Sequence, residues 1–338
     1  MTAKELAKEL GISAATLSLV LNGKPGISDK TRANVLDKLK EMGYTNLIKH
    51  DPNALPNKTL GFVIFKNSGK ILGEHAFYPE VLDSVETAAR KCGYNLNIIT
   101  IERKEAEKQI QYILDANCIG YIIFATEMEG DEIQNFQDLG LPFVLLDNYY
   151  NDKDINSVTV NNEQCTYLAV QYLISQGHRN IGYLRSGLSF RSFQEREMWS
   201  DIALQHFGIN DMRNYTYTVG YPIDSACQGI LKAAEQLKAP DAPTAFLADN
   251  DLVAIGAMRG MQQLGYAIPE DFSFIGIADR PISSLIEPKL TTIRVPKERF
   301  GAEAVSQLVQ QLDQPCTSYV KVAVNGELVI RDSVKSLL

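Results

Sequence analysis

Residues 2–28 read Thr2-Ala3-Lys4-Glu5-Leu6-Ala7-Lys8-Glu9-Leu10-Gly11-Ile12-Ser13-Ala14-Ala15-Thr16-Leu17-Ser18-Leu19-Val20-Leu21-Asn22-Gly23-Lys24-Pro25-Gly26-Ile27-Ser28. Thr2 with Glu5 three positions later is a capping box, and Leu6, Ala7 and Leu10 form the apolar face of a first helix. Gly11 supplies a turn. Ser13 caps a second helix with Leu17, Val20 and Leu21 inward, which leaves Ala14, Ala15, Ser18, Leu19 and Asn22 outward. Beyond the breaker at 22–26, Ser28 caps a third helix with Val35, Leu36 and Leu39 inward, ending near Gly43.

A helix, a glycine turn and a second helix with a slim, polar outer side make the geometry that sets a helix into the major groove of DNA. An ordinary helical hairpin has the same pattern; the N-terminal position, the third helix and the linker that follows favour the first reading. Ser13, Thr16, Ser18 and Asn22 are then partners for phosphates or base edges, whereas in a hairpin they are caps and solvated positions.

Working outward, residues 46–58 hold Pro52 and Pro56 and have no apolar period, which marks a domain boundary. Beyond it, apolar runs at 61–65, 96–101, 121–124, 143–146, 181–184, 245–247 and 272–277 alternate with helical stretches at 80–92, 105–116, 163–175, 252–264 and 298–312. Strands apolar on both faces and joined by helices predict parallel, doubly wound sheets. Their number suggests two lobes, with a cleft where the carboxyl ends of the strands face each other.

The chain has 338 residues, 45% hydrophobic and 22% charged, so it can bury a core and is neither disordered nor collagen-like. No apolar run reaches the roughly 18 residues of a membrane span, and the N-terminus alternates charges where a signal peptide needs an apolar stretch. The expectation is a soluble, cytoplasmic protein. Cys92, Cys118, Cys165, Cys227 and Cys316 are scattered and lack a CxxC pair, which suggests neither a disulfide framework nor a metal site. The net charge of −8 is uneven: residues 1–50 carry eight Lys and Arg against five Asp and Glu, a net +3, which leaves −11 for the rest. A basic head on an acidic body suits a DNA-binding module joined to one that does not touch DNA.

The segments Lys4-Glu5-Leu6-Ala7, 11–23, 27–32 and Gly43-Tyr44 resemble the head of the LacI/GalR family of transcriptional regulators. The likeness continues through Gly93-Tyr94-Asn95, 177–182, Asn250-Asp251, 268–271, 290–293 and 327–333, in the family's order. The resemblance implies a helix-turn-helix DNA-binding domain at 1–46, a linker or hinge at 47–58 and an effector-binding and dimerisation domain at 59–338. That body would be α/β and periplasmic-binding-protein-like, with two doubly wound lobes: one about 59–157 plus 296–316, the other about 158–295 plus 317–338. The implied partners are a double-stranded DNA operator, a small-molecule effector of which a carbohydrate is the leading class, and a second copy of the chain. No cofactor, metal or membrane is implied.

By position in the motifs, Ala14, Ala15 and Leu19 would be the principal major-groove contacts, with Ser28 and Thr31 at the start of the third helix joining them. Where relatives often carry a polar side chain, Leu19 cannot pair with a guanine edge but can meet a thymine methyl. Leu55 sits where the family has a minor-groove wedge; Pro56 follows it at once, so wedge and plain tether both stay open.

For the cleft, the resemblance carries over Asp147, Arg196 with Ser192 before it, and Asn250. A carboxylate, a guanidinium and an amide can each hold adjacent hydroxyls, while Phe77 and Tyr78 could cover an apolar C–H face. The plain alternatives are a turn opener, a surface ion pair, a helix cap and core packing. Asp279 joins the set as the second of two positions where sugar-responsive relatives carry acids; Ala278 holds the first. Catalytic signatures such as GxSxG, GxxxxGK[ST], GxGxxG and HExxH are missing, and His50, His75, His178 and His206 fall in unrelated segments. The expectation is a ligand-responsive repressor rather than an enzyme. A solute-binding receptor that does not use DNA is the alternative.

Overall fold

Gly11 takes φ +69°, a left-handed conformation that costs a side-chain-bearing residue about 1 kcal/mol or more, and so ends α1 (Ala3–Glu9) and turns the chain into α2 (Ala14–Leu21). The computed structural model describes residues 3–22, 24–44, 47, 58–70, 77–209, 215–238, 242–314 and 318–338. Thr2, Leu55, Cys316 and all of the linker except residues 47 and 58 lie outside them. The chain divides into two compact units, Met1–Asn57 and Lys58–Leu338.

In the first unit the caps read from the sequence are present. Ser13 Oγ accepts the Thr16 N–H at 3.0 Å, and Ser28 Oγ accepts the Thr31 N–H at 3.2 Å at the start of α3 (Asp29–Glu41). Each such cap stabilises a helix by about 1 kcal/mol. Leu6, Ala7, Leu10, Leu17, Val20, Val35, Leu36 and Leu39 are buried together as one small core. Arg32 completes it from α3: its Nη1 donates to Leu19 O at 3.1 Å and its Nη2 to Lys24 O at 2.5 Å. The guanidinium thus caps the carbonyl end of α2, where a cation is favoured.

The second unit holds two sheets. The first runs β11 (Lys321–Val324), β5 (Ser157–Val160), β4 (Phe143–Leu146), β3 (Tyr121–Phe124), β1 (Thr59–Lys66), β2 (Asn95–Glu102), all parallel. Side chains alternate across it. Phe62, Ile64, Ile122 and Phe124 meet α4 (Tyr78–Lys91) and α11 (Lys297–Asp313), while Val63, Phe65, Ile123 and Leu145 meet α5 (Ala106–Asp115) and α6 (Ile133–Gln137). Both faces are therefore covered, as a parallel sheet requires.

The second sheet runs β12 (Glu327–Val329), β10 (Thr291–Arg294), β9 (Ser273–Ala278), β8 (Ala245–Ala248), β6 (Ile181–Arg185), β7 (Thr216–Thr218), antiparallel only at β12. One face packs on α7 (Asn162–Ser175) and α8 (Arg191–His206). The other packs on α9 (Ile223–Lys232) and α10 (Asp251–Gln263).

The chain crosses between lobes after β5, after β10 and between β11 and β12. The last crossing is tight: a Cβ on Gly326 would lie 2.6 Å from Ile293 Cγ2 and 2.8 Å from Cys165 Sγ. Here the structure corrects the lobe boundaries expected from sequence. Residues 158–160 and 321–324 belong to the first lobe, because β11 pairs along β5 from Lys321 opposite Ser157 to Val324 opposite Val160. That pairing covers backbone groups which would otherwise be an exposed sheet edge.

Candidate functional site

On the first unit, α2 turns Leu17 and Val20 inward. Ser13, Ala14, Ala15, Ser18 and Asn22 are exposed, as are Ser28 and Thr31, with Thr16 and Leu19 half-buried. The Thr16 and Thr31 hydroxyls lie 2.8 Å from those of Ser13 and Ser28, and Asn22 Nδ2 donates to Ser18 O at 2.8 Å. Short side chains let the backbone of a helix come close to base edges, and this row of methyls and hydroxyls is the surface the sequence assigned to DNA. Leu19 leans on Gly26, whose Cβ position is 3.4 Å from Leu19 Cδ1.

In the second unit a cavity of about 530 Å³, partly open to solvent, lies between the lobes where the strands end. Asp147 follows β4 with φ +67° and is 9% exposed. Thr126, just past β3, donates its hydroxyl to Asp147 Oδ2 at 2.6 Å. Burial pushes the Asp147 carboxyl up to about 6, against the pull of the Thr126 hydrogen bond and of the Arg196 charge.

Arg196 comes from α8. Its Nε donates to Asn162 Oδ1 at 2.9 Å and its Nη1 to Asp249 O at 2.7 Å, so both acceptors are neutral. Asn250 caps α10: Oδ1 accepts the Val253 N–H at 3.1 Å, while Nδ2 is buried without a hydrogen-bond partner. A buried, unmatched amide donor costs about 1–3 kcal/mol and is what a ligand acceptor would satisfy. Behind these residues, Asp249 accepts from Tyr183 Oη at 2.7 Å and from the Ser186 N–H at 2.5 Å. Asp251 accepts from Thr292 Oγ1 at 2.5 Å and from the Arg280 main-chain N–H at 2.7 Å. Burial raises both carboxyls above the ordinary range.

Aromatic rings close the cavity. Phe77 and Tyr78 line it at the start of α4, with Phe124 beneath Tyr78 at 6.4 Å between centroids. Phe190 and Phe193, 5.3 Å apart, and Tyr221 face them from the second lobe. Between the lobes, the Tyr149 hydroxyl donates to Glu195 Oε1 at 2.7 Å, and the Arg191 guanidinium sits 3.8 Å above the Tyr149 ring.

Of the residues expected here, Phe77, Tyr78, Asp147, Ser192, Arg196 and Asn250 line the one cavity. Asp279 does not. Its carboxylate accepts from Arg331 Nη2 at 2.6 Å and Arg294 Nε at 2.7 Å, which holds it in a part-buried ion-pair cluster outside the cavity lining. Sequence reasoning missed Thr126, Tyr221 and Arg280, and the three phenylalanines from other elements. Thr126 and Arg280 each lie two residues past a strand end, a position that would have flagged them.

Residues 2–46 match the bacterial regulatory proteins of the lacI family, and residues 170–334 match the periplasmic binding protein-like domain. The chain is 30% identical over 338 residues to the HTH-type transcriptional regulator AscG of Escherichia coli (strain K12), covering 98% of both. Among solved structures it is similar to a transcriptional regulator CelR–cellobiose complex, with TM-score 0.73, 24% identity and 98% and 99% of the two chains covered. It is also similar to the lac repressor dimer bound to operator and the anti-inducer ONPF, with TM-score 0.71, 24% identity and 99% of each chain covered. A helix-turn-helix unit followed by a two-lobed body, together with a relative matched from end to end, settles the assignment: the chain belongs to the LacI family of bacterial regulatory proteins.

Proposed function

We propose that this regulator is a cytoplasmic, non-catalytic homodimeric repressor, and that a carbohydrate-sized effector in the cleft controls its hold on operator DNA. The observation that carries this reading is the meeting of Asp147 from the first lobe with Arg196 and Asn250 from the second around one aromatic-lined cavity. Only a ligand that touches both lobes binds one lobe arrangement better than the other, and that difference is what shifts an equilibrium. The cellobiose in the CelR structure and the operator-bound dimer of the lac repressor support the effector class and the assembly.

In this reading residues 1–46 are the DNA-binding domain, 47–58 the link and 59–338 the effector and dimerisation domain; the division at Asn57 and Lys58 supports it. Ser13, Ala14, Ala15, Thr16, Ser18, Leu19, Asn22, Ser28 and Thr31 face the operator, and Leu55 enters the minor groove. Phe77, Tyr78, Asp147, Ser192, Arg196 and Asn250 hold the effector. In a dimer two heads read two half-sites, and closure of the cleft changes their spacing.

A thermal-shift screen against a carbohydrate panel tests the reading, followed by operator titration with each hit. A sugar that raises the unfolding temperature by mass action and changes operator affinity is the expected result. Hits that bind equally well after Arg196→Ala would remove the cleft from the account.

A further inference from the structure

The geometry points to a latch that holds the two lobes against each other whatever ligand the cleft takes. It is built from Tyr149 and Glu129 of the first lobe and from Glu195, Arg191 and Ser189 of the second.

Two side-chain hydrogen bonds span the lobes without using the crossing segments. The Tyr149 hydroxyl, past the end of β4, donates to Glu195 Oε1 on α8 at 2.7 Å. The Ser189 hydroxyl, just before α8, donates to Glu129 Oε1, past the end of β3, at 2.5 Å. Both acceptors are carboxylates, so both bonds are of the stronger, charge-assisted kind. None of these residues lines the cavity. The segment 189–196 therefore works in two directions. Phe190, Ser192, Phe193 and Arg196 line the ligand space, while Ser189, Arg191 and Glu195 reach the other lobe.

Each partner is also held on its own lobe. Glu195 Oε2 accepts from Asn162 Nδ2 at 2.8 Å, and Arg191 Nε lies 3.4 Å from Glu195 Oε1. The Tyr149 ring has Lys321 Nζ of the first lobe 4.5 Å from its centre, besides the Arg191 guanidinium of the second at 3.8 Å. An aromatic face attracts such cations, so the ring adds to the grip of its hydroxyl. Arg103 pairs with Glu129 at 3.5 Å and also with Glu132. Side chains already ordered in this way lose little rotamer freedom when the lobes meet, and that loss is what cancels most exposed pairs.

Asn162 ties the latch to the cavity, because it holds Glu195 through Nδ2 and Arg196 through Oδ1. Asp147 and Arg196 come from opposite lobes, so the latched arrangement is the one that assembles the cavity. Populating it beforehand raises the apparent affinity for whatever binds there.

The test is a spin-label distance measurement on the full chain with no ligand added. Labels go on Cys92, exposed at the end of α4, and on Gln205→Cys, exposed near the end of α8, with Cys316→Ser. Dilution with unlabelled chain confines the distance to one copy. The latched protein should give one distance between the lobes. Tyr149→Phe combined with Ser189→Ala keeps the ring and removes both bonds. A second distance should then appear in at least about a tenth of the molecules, since losing one hydrogen bond to a charged group shifts an equilibrium about tenfold or more. Either change alone should give a smaller second population. Tyr121→Phe, which removes a hydroxyl bonded to Ile113 O inside the first lobe, should keep the single distance. A double variant with the original distribution, an unaltered latch already divided between two distances, or a Tyr121→Phe protein divided like the double variant would overturn the latch. Because no ligand enters the measurement, such a failure would leave the effector reading of the cleft standing.

Discussion

Asn162 holds Arg196 in place: its Oδ1 accepts the Arg196 Nε–H at 2.9 Å, while its Nδ2 donates to Glu195 Oε2 at 2.8 Å. One amide in the first turn of α7 thus orients a guanidinium on α8 toward the cleft. Asn162→Ala should leave operator affinity intact and weaken the effector about tenfold or more, since the bond to a charged group is worth about 1.5–3 kcal/mol. Effector titration of the preformed operator complex measures it.

The Asp147 carboxyl gives a pH signature. With its folded value raised from 3.8 to about 6, the native state binds more protons than the unfolded one between those values. Stability from this group is therefore full below about pH 4 and lost as pH rises through about 6. Asp147→Asn keeps the shape and an acceptor for Thr126. We expect it to raise the melting temperature by a few degrees at pH 8, for a gain on the order of 1–3 kcal/mol, and to change little at pH 4. Scanning calorimetry of both proteins at the two pH values checks this, and the buried Asp249 and Asp251 cancel in the comparison.

Arg32 closes the head. Removing it uncovers the carbonyls of Leu19 and Lys24, so Arg32→Ala should cost the first unit about 2–3 kcal/mol, a large part of what so small a core supplies. Operator binding should fall at least about tenfold while effector binding to the body stays unchanged. Gel shift and calorimetry on the same preparation separate the two.

Leu19 should set one base preference. An apolar side chain favours a thymine methyl, and Leu19→Gln should move that half-site position toward adenine, with discrimination of about 1–3 kcal/mol. Selection from a random duplex library with each protein reads the change directly.

The head was legible because everything that builds it is local: caps, a glycine turn and a 3.6-residue apolar period within forty residues. The alternating strands and helices of the body were legible for the same reason. What depends on distant pairing was not. Asp279 was expected in the cleft, yet its direction is set by two left-handed backbone angles and by Arg331, far along the chain. Arg280, two residues past the end of β9, lines the cavity instead. The lobe boundary failed at β11 because a strand of only four residues pairs with β5 only once the sheet edge exists. Arg32 reads as a solvated helix residue until its acceptors, the carbonyls ending α2, are seen.

The central claim is that occupancy of the cleft governs the grip of the head on DNA. It is tested most directly by fluorescence anisotropy of a library-selected duplex titrated with the full chain, with and without a cleft-binding ligand. In wild type the ligand should shift duplex affinity by about 5–150-fold, the usual span of coupling between sites. In Arg196→Ala the shift should vanish at the same ligand concentration. An affinity indifferent to ligand in wild type, or a shift that persists undiminished in the variant, would contradict the account.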